Sequence, residues 1–342
     1  MTNKLSPTDA LQRLGDYLLK VQTGDGALPI RSGTSGTVPE VVPQIGNHAI
    51  FGLVDAFRAT EDRRFLQAIR QWIEWRDRPR NADRSISTLT KTTDSEGTVG
   101  AKEFVAEASY IELLHLLTTL PLGEGDRKWL QTRLPFARRS IEAALRQQQK
   151  NGLVSTGAGA EATQLIDNVI VLRGLLAGTR YFQTGVGKER GMAVRCTTEA
   201  VRLSTAISTE LWDPISECYR SSLRQDNRHD TDFETRYPDL VANLLAIGWL
   251  PRTTVFRRRA KPLYERIVAR LADSSAMGLP RSLSTEQDLD RLVWWGFAAE
   301  GQGDTDRILH VRTQLARMDP VALEISHPSL IGLACRLIGP LA

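Results

Sequence analysis

Apolar residues recur along this chain at helical spacing. Ser6-Pro7-Thr8-Asp9 forms a cap signal, and Leu11, Leu14, Leu18 and Val21 behind it share one helix face. Residues 45–60 read as a helix with little charge in its middle. A very short turn at Thr60-Glu61 joins it to an amphipathic partner over 61–76. The couplet then repeats. The mostly apolar stretches 102–120, 162–182, 237–250 and 286–300 are followed by amphipathic stretches 126–150, 188–211, 253–273 and 304–318, and a last apolar helix covers 328–338. Helices apolar all round belong inside, and helices with one wet face belong outside. About twelve alternating helices therefore predict an all-α fold with an inner and an outer ring. The best strand signal is 215–223, read as a short hairpin arm. Strand and helix do not alternate, which excludes a Rossmann-like sheet. Gly185-Val186-Gly187-Lys188 lacks the flanking residues of a phosphate loop.

The connections are asymmetric. Turns out of the apolar helices are short, while those leading into them are long: 23–43, 81–101, 151–161, 212–234 and 274–285. In a ring of hairpins the long loops share one face, and loops of this length usually carry function. The starts of the apolar helices, which face that mouth, hold polar groups that a plain core would not favour. These are Gln44, Asn47 and His48; Glu103, Glu107 and Ser109; Gln164, Asp167 and Asn168; Arg236, Tyr237 and Asp239; Asp288, Asp290, Arg291 and Trp294; and His327 with Ser329. Capping explains many acids near helix starts, and Asp232 and Glu286 are read as caps. Glu107, Asp167 and Asp239 lie among apolar neighbours, where a carboxylate is costly unless paired, hydrated or used. Tyr110, Tyr237, Trp294 and Trp295 are flat surfaces suited to sugar rings.

Composition narrows the classes. With 342 residues, 41% of them hydrophobic, the chain can bury one large core, and a single domain over 1–342 is expected. The net charge of +4 sets 44 Lys and Arg against 40 interspersed acids, too even a mixture for nucleic-acid binding. Arg257-Arg258-Arg259 reads as a solvated outer face. Cys196, Cys218 and Cys335 are too far apart for a zinc motif or a disulfide framework. No metal or other cofactor is expected. The first residues do not form a signal peptide and no stretch reads as a membrane span, so a cytoplasmic protein is expected.

Several stretches resemble one superfamily. Residues 47–75, NHAIFGLVDAFRATEDRRFLQAIRQWIEW, resemble an inner-helix, turn, outer-helix unit. Residues 151–178 carry a G-L … D-N-x-x-x-x-x-G-L pattern, 210–223 resemble a segment that turns into a small hairpin, and 236–247 resemble Y-P-D-x-x-A-x-L. Together the layout is similar to the six-hairpin, (α/α)6-toroid glycosidases. The resemblance implies an (α/α)6 toroid and a carbohydrate partner. It places Asp167 and Asp239 at the mouth, and Glu107 where an acid often stands.

Three functions follow. A glycoside hydrolase, inverting by the resemblance, would use Glu107 or Glu103 as general acid and Asp167 or Asp239 as base. Asn47, His48, Gln164, Asn168 and Arg236 would orient hydroxyls or a carboxylate, with Tyr237, Trp294 and His327 beside them. A lyase acting on uronate-containing glycans would draw on His48, His229, Arg236 and Tyr237. A non-catalytic binding or scaffold toroid is the third. A terpene-cyclase-like reading of 18–29 ranks low because the D-x-D-D cluster is absent, Asp230-Thr231-Asp232 being only a fragment of one.

Overall fold

The computed structural model describes residues 6–30, 41–78, 103–155, 162–184, 186–224, 240–272 and 283–339. Thirteen helices are present among them. The first, α1 (Pro7–Val21), opens with the expected cap: the Ser6 hydroxyl accepts from the Asp9 amide, and the Asp9 carboxylate accepts from the Ser6 amide. Six helices then alternate with outer partners. The inner set is α2 (Pro43–Thr60), α4 (Glu103–Thr118), α7 (Leu165–Gln183), α9 (Val241–Trp249), α11 (Glu286–Gln302) and α13 (Pro328–Ile338). The outer set is α1, α3 (Arg63–Asp77), α5 (Glu124–Gln131) with α6 (Leu134–Arg146), α8 (Arg190–Glu210), α10 (Thr254–Ala272) and α12 (Thr305–Arg317). The amphipathic stretch 126–150 is two helices, and Pro135, in the first turn of α6, has no amide to bond back to α5.

Each inner helix packs against the next, α2 on α4, α4 on α7, α7 on α9, α9 on α11, α11 on α13 and α13 back on α2. The ring is closed. Contacts between residues at like depths show that the inner helices run parallel. Asn47 on α2 donates to the Ala106 carbonyl and the Ser109 hydroxyl on α4. The closing seam depends on glycine. A Cβ on Gly332 of α13 would stand 2.0 Å from the His48 carbonyl oxygen of α2, and one on Gly52 would stand 2.6 Å from the Gly332 Cα. Only bare backbone lets the first and last inner helices approach so closely.

The tight turns also match the reading. Glu61, in the left-handed region at φ 57°, ends α2, and Asp62 caps α3 one residue later. At α11 the cap is Thr285 with Asp288 in a capping box, so Asp288 is a capping residue. Glu286 is not the cap. Its carboxylate accepts from the His327 amide at 2.8 Å and from the Ser326 hydroxyl, gripping the turn before α13.

The strand content is two small antiparallel pairs. β2 (Trp212–Asp213) and β3 (Cys218–Tyr219) form a hairpin. β4 (Ser222–Arg224) pairs across to β1 (Ala162–Gln164), with Gln164 opposite Ser222. The arm expected over 215–223 is thus a turn and two strands serving different partners. The three cysteines are buried free thiols. Among the described residues no helix is long and apolar enough to cross a membrane.

Candidate functional site in the ring lumen

The lumen has a floor built at one level. Phe51, Glu112, Arg173, Trp249, Trp294 and Arg336 are each the ninth or tenth residue of their inner helix. At 1.5 Å per residue this level lies roughly 12–15 Å below the helix starts. The six side chains interlock. Arg173 Nε donates to Glu112 Oε2 at 3.1 Å, and its Nη2 donates to the other oxygen, a bidentate pair. The Arg173 guanidinium also lies 4.3 Å from the Trp249 ring centre, and that of Arg336 lies 5.2 Å from the Phe51 ring. Trp249 meets Trp294 edge to face at 5.2 Å.

His48 stands one turn above Phe51. Its ring lies 5.3 Å from Phe51 and 6.0 Å from Trp249. Burial, with Arg173 and Arg336 nearby, pulls its pKa down to about 4 against the pull of Glu112, so the imidazole is neutral at pH 7. Burial works against the charge of Glu112 as well. The two guanidiniums nevertheless hold that carboxyl down to about 2. One turn above the floor on α11, Asp290 accepts from the Trp294 indole N–H at 2.8 Å.

Several residues expected at the mouth lie elsewhere. Glu107 points outward between the rings. Arg76 of the outer helix α3 donates to its Oε2 at 2.5 Å, stacks 3.5 Å from the Tyr110 ring centre and also pairs with Asp77. Glu107 is a wall residue here, and Tyr110 is covered by Arg76 and fully buried. Trp295 is fully buried too, beside Tyr264. Asn47, fully buried, has every polar atom engaged: it donates to Ala106 and Ser109 and accepts from the Trp72 indole at 3.0 Å. Asn168, also fully buried, accepts from the Val154 amide and donates to the Val154 and Gln164 carbonyls. Neither asparagine has a group left to orient a sugar hydroxyl. Asp167, the third residue of α7, is buried near the lumen entrance. Gln164 ends β1, and His327, about half exposed, sits at the rim with Nδ1 3.2 Å from Glu286. Arg236, Tyr237 and Asp239 lie outside the described residues, as does the Glu103 side chain.

This architecture has known counterparts. A β-1,3-1,4-glucanase from Paenibacillus sp. X4 superposes with a TM-score of 0.66 over 98% of this chain and 93% of its own, at 11% identity. An α-1,6-mannanase from Salegentibacter sp. superposes with a TM-score of 0.63 over 97% and 100%, at 12% identity. A D-mannose isomerase follows with a TM-score of 0.62 over 97% and 96%, at 10% identity. The fold is that of the six-hairpin (α/α)6 toroids. No family model matches the sequence, and no curated protein matches it either.

Within this toroid, three charged residues of the floor escape sequence reasoning. Glu112, Arg173 and Arg336 lie deep in their helices, whereas the polar clusters that stand out in the sequence are at the helix starts. A signal is present: each is an isolated charge in a run such as IELL, VLRGLL or ACRLIG. A helix enclosed on every side by other helices keeps such a charge only if a partner meets it.

Proposed function

We propose that this toroid is a glycoside hydrolase that takes its substrate at the open end of the ring. The observation that supports this most is the floor itself. It gathers three aromatic faces and three charged groups at one level of the ring, side chains of the kind that suit a sugar. The α-1,6-mannanase of the same fold is known as an inactive variant in complex with α-1,6-mannotetrose, so a toroid of this shape takes an oligosaccharide.

In this reading one carboxyl donates a proton to the leaving oxygen and a second activates water. With Glu107 held by Arg76, the pair falls to Asp167 and Asp239, with Glu103 as the alternative acid. Inversion would set them about 6.5–9.5 Å apart. Trp294 and His48 would face the sugar, and Asp290 would hold Trp294 in place. The carbohydrate partner and a cytoplasmic setting belong to the same proposal.

A product screen tests it. The protein is incubated with α-1,6-mannan, β-glucan, starch and a uronate-containing glycan, reading reducing ends and ultraviolet absorbance. Reducing ends released by the parent protein and lost in Asp167→Asn or Asp239→Asn support the hydrolase. Unsaturated products would replace it with a lyase, and silence on every glycan would favour a binding protein.

One observation favours a second reading. His48 is a neutral imidazole inside the lumen, the form that accepts a proton from carbon beside a carbonyl. The D-mannose isomerase of this fold makes an aldose–ketose isomerase the alternative, checked by converting mannose to a ketose in the same screen.

A further inference from the structure

The outside of the ring also carries a concave surface. Between the outer helices α8 and α10 lies a groove of about 800 Å3 whose floor is α7. Leu172 and Leu176 of α7 lie at its base. Val201 of α8 and Val255 of α10 flank it, 62% and 47% exposed. Exposed valines bordering an apolar floor mark a surface suited to a partner. The α8 side is also poor in free donors. The hydroxyls of Thr197, Thr205 and Ser208 donate one turn back to the carbonyls of Ala193, Val201 and Ser204, at 2.9–3.0 Å.

Charge in the groove is one-sided. Among the described residues no carboxylate lines it, whereas Arg180 and Arg259 do. Arg180 is exposed, forms no ion pair among the described residues and acts on another base, His115. Arg259 donates to the Ser208 carbonyl at 2.8 Å and stacks 4.6 Å from the Trp212 ring centre, again without a carboxylate. The acids of α8 closest in sequence are engaged elsewhere: Arg202 stands 3.7 Å from Glu199, and Glu210 accepts from the Thr209 hydroxyl. Arg257 and Arg258, exposed on α10, deepen the positive excess.

The two groove arginines mark opposite ends. Thr179, beside Arg180, meets the Thr197 hydroxyl at 3.2 Å, while Arg259 reaches Ser208. Ser208 lies eleven residues beyond Thr197 on α8, about 16 Å at 1.5 Å per residue. An amphiphile with one acidic head would satisfy one end only. A second copy meeting through the same groove would bring like charges together. A helix of about three turns spans the distance and can set an acid at each end of an apolar face.

We propose that the α8–α10 groove is a docking site for a partner protein, which lays into it an amphipathic helix carrying carboxylates about three turns apart. The groove is on the outer wall, so the proposal stands apart from the carbohydrate reading of the lumen.

Fluorescence anisotropy tests it with a labelled, helix-forming peptide of about fifteen residues, leucines on one face and two glutamates about eleven positions apart. The parent protein should bind this peptide about tenfold more tightly than its counterpart with lysine in place of both glutamates. Val201→Glu and Arg180→Gln, both at exposed positions, should each weaken binding about tenfold with unchanged thermal midpoints, and Arg180→Lys should restore part of it. Equal binding of the two peptides, no binding of the acidic one at submillimolar concentration, or unaltered affinity in a folded Val201→Glu overturns the proposal. Binding of phosphatidylglycerol vesicles without binding of the peptide would give the groove to a membrane surface instead. A dimer of the parent that Val201→Glu dissolves would give it to a second copy, and either result also overturns the proposal.

Discussion

Asn243 of α9 accepts a hydrogen bond from the Tyr219 amide and donates one to the Tyr219 carbonyl, both at 2.9 Å. One side chain thereby satisfies both polar groups of a buried residue that has only a two-residue strand around it. Asn168 of α7 does the same for Val154. The third and fourth residues of two inner helices thus pin the segments that enter the ring. Replacing either by Ala leaves a buried amide and a buried carbonyl unpaired. Loss of about 2–4 kcal/mol is expected, read as a lower urea midpoint at unchanged slope.

Glu107 and Arg76 give a second expectation. Removing one partner of a buried ion pair leaves the other uncompensated, so Glu107→Gln should destabilise the protein by about 3 kcal/mol. Activity per folded molecule should be retained. A stable Glu107→Gln protein that has lost turnover would return Glu107 to the chemistry.

His48 predicts acid sensitivity. Its folded pKa of about 4 lies below its ordinary 6.5. The unfolded chain therefore binds the extra proton between these values, and stability rises with pH across that window. The contribution is complete above pH 6.5 and lost as pH falls through 4, at most about 3 kcal/mol. Glu112, held down to about 2, adds loss in the same direction at lower pH. Urea midpoints at about pH 7 and pH 4.5 should differ markedly in the parent and less in His48→Gln. An equal difference in both would assign the acid sensitivity to other groups.

The ring seam gives a fourth expectation. In Gly332→Ala the new methyl would meet the His48 carbonyl 2.0 Å away, so α2 and α13 must part. Destabilisation of about 3 kcal/mol or failure to fold is expected, within or beyond the usual range for overpacking. Differential scanning calorimetry reads it, and a Gly332→Ala protein with the parent's midpoint would show that the seam can open without loss.

Fold and site are legible in the sequence to different depths. Hydrophobic periodicity discloses the alternation of inner and outer helices because burial on all sides or on one side shapes composition directly. The Ser6–Asp9 cap and the Glu61 turn are legible because their chemistry is local. Glu107 and Asn47 mislead because a polar side chain in an apolar run looks alike whether it faces the lumen or the wall. Only the position of Arg76, 31 residues from Glu107 on another helix, separates the two. Arg173 and Arg336 go unnoticed because their significance lies in reaching one level from opposite sides of a ring. No local pattern encodes that coincidence.

The glycine seam between α2 and α13 also bears on how the molecule is made. Its two halves lie near opposite ends of the sequence, so the defining contact is among the most non-local the chain can form. During synthesis α2 emerges early and waits, with the face around Gly52 bare, until α13 leaves the ribosome. Until then the helices form an open arc that leaves inner surface exposed to other chains. Closure is therefore expected to be a late folding step, and lesions in the last hairpin should appear first as aggregation of nascent protein rather than as altered chemistry.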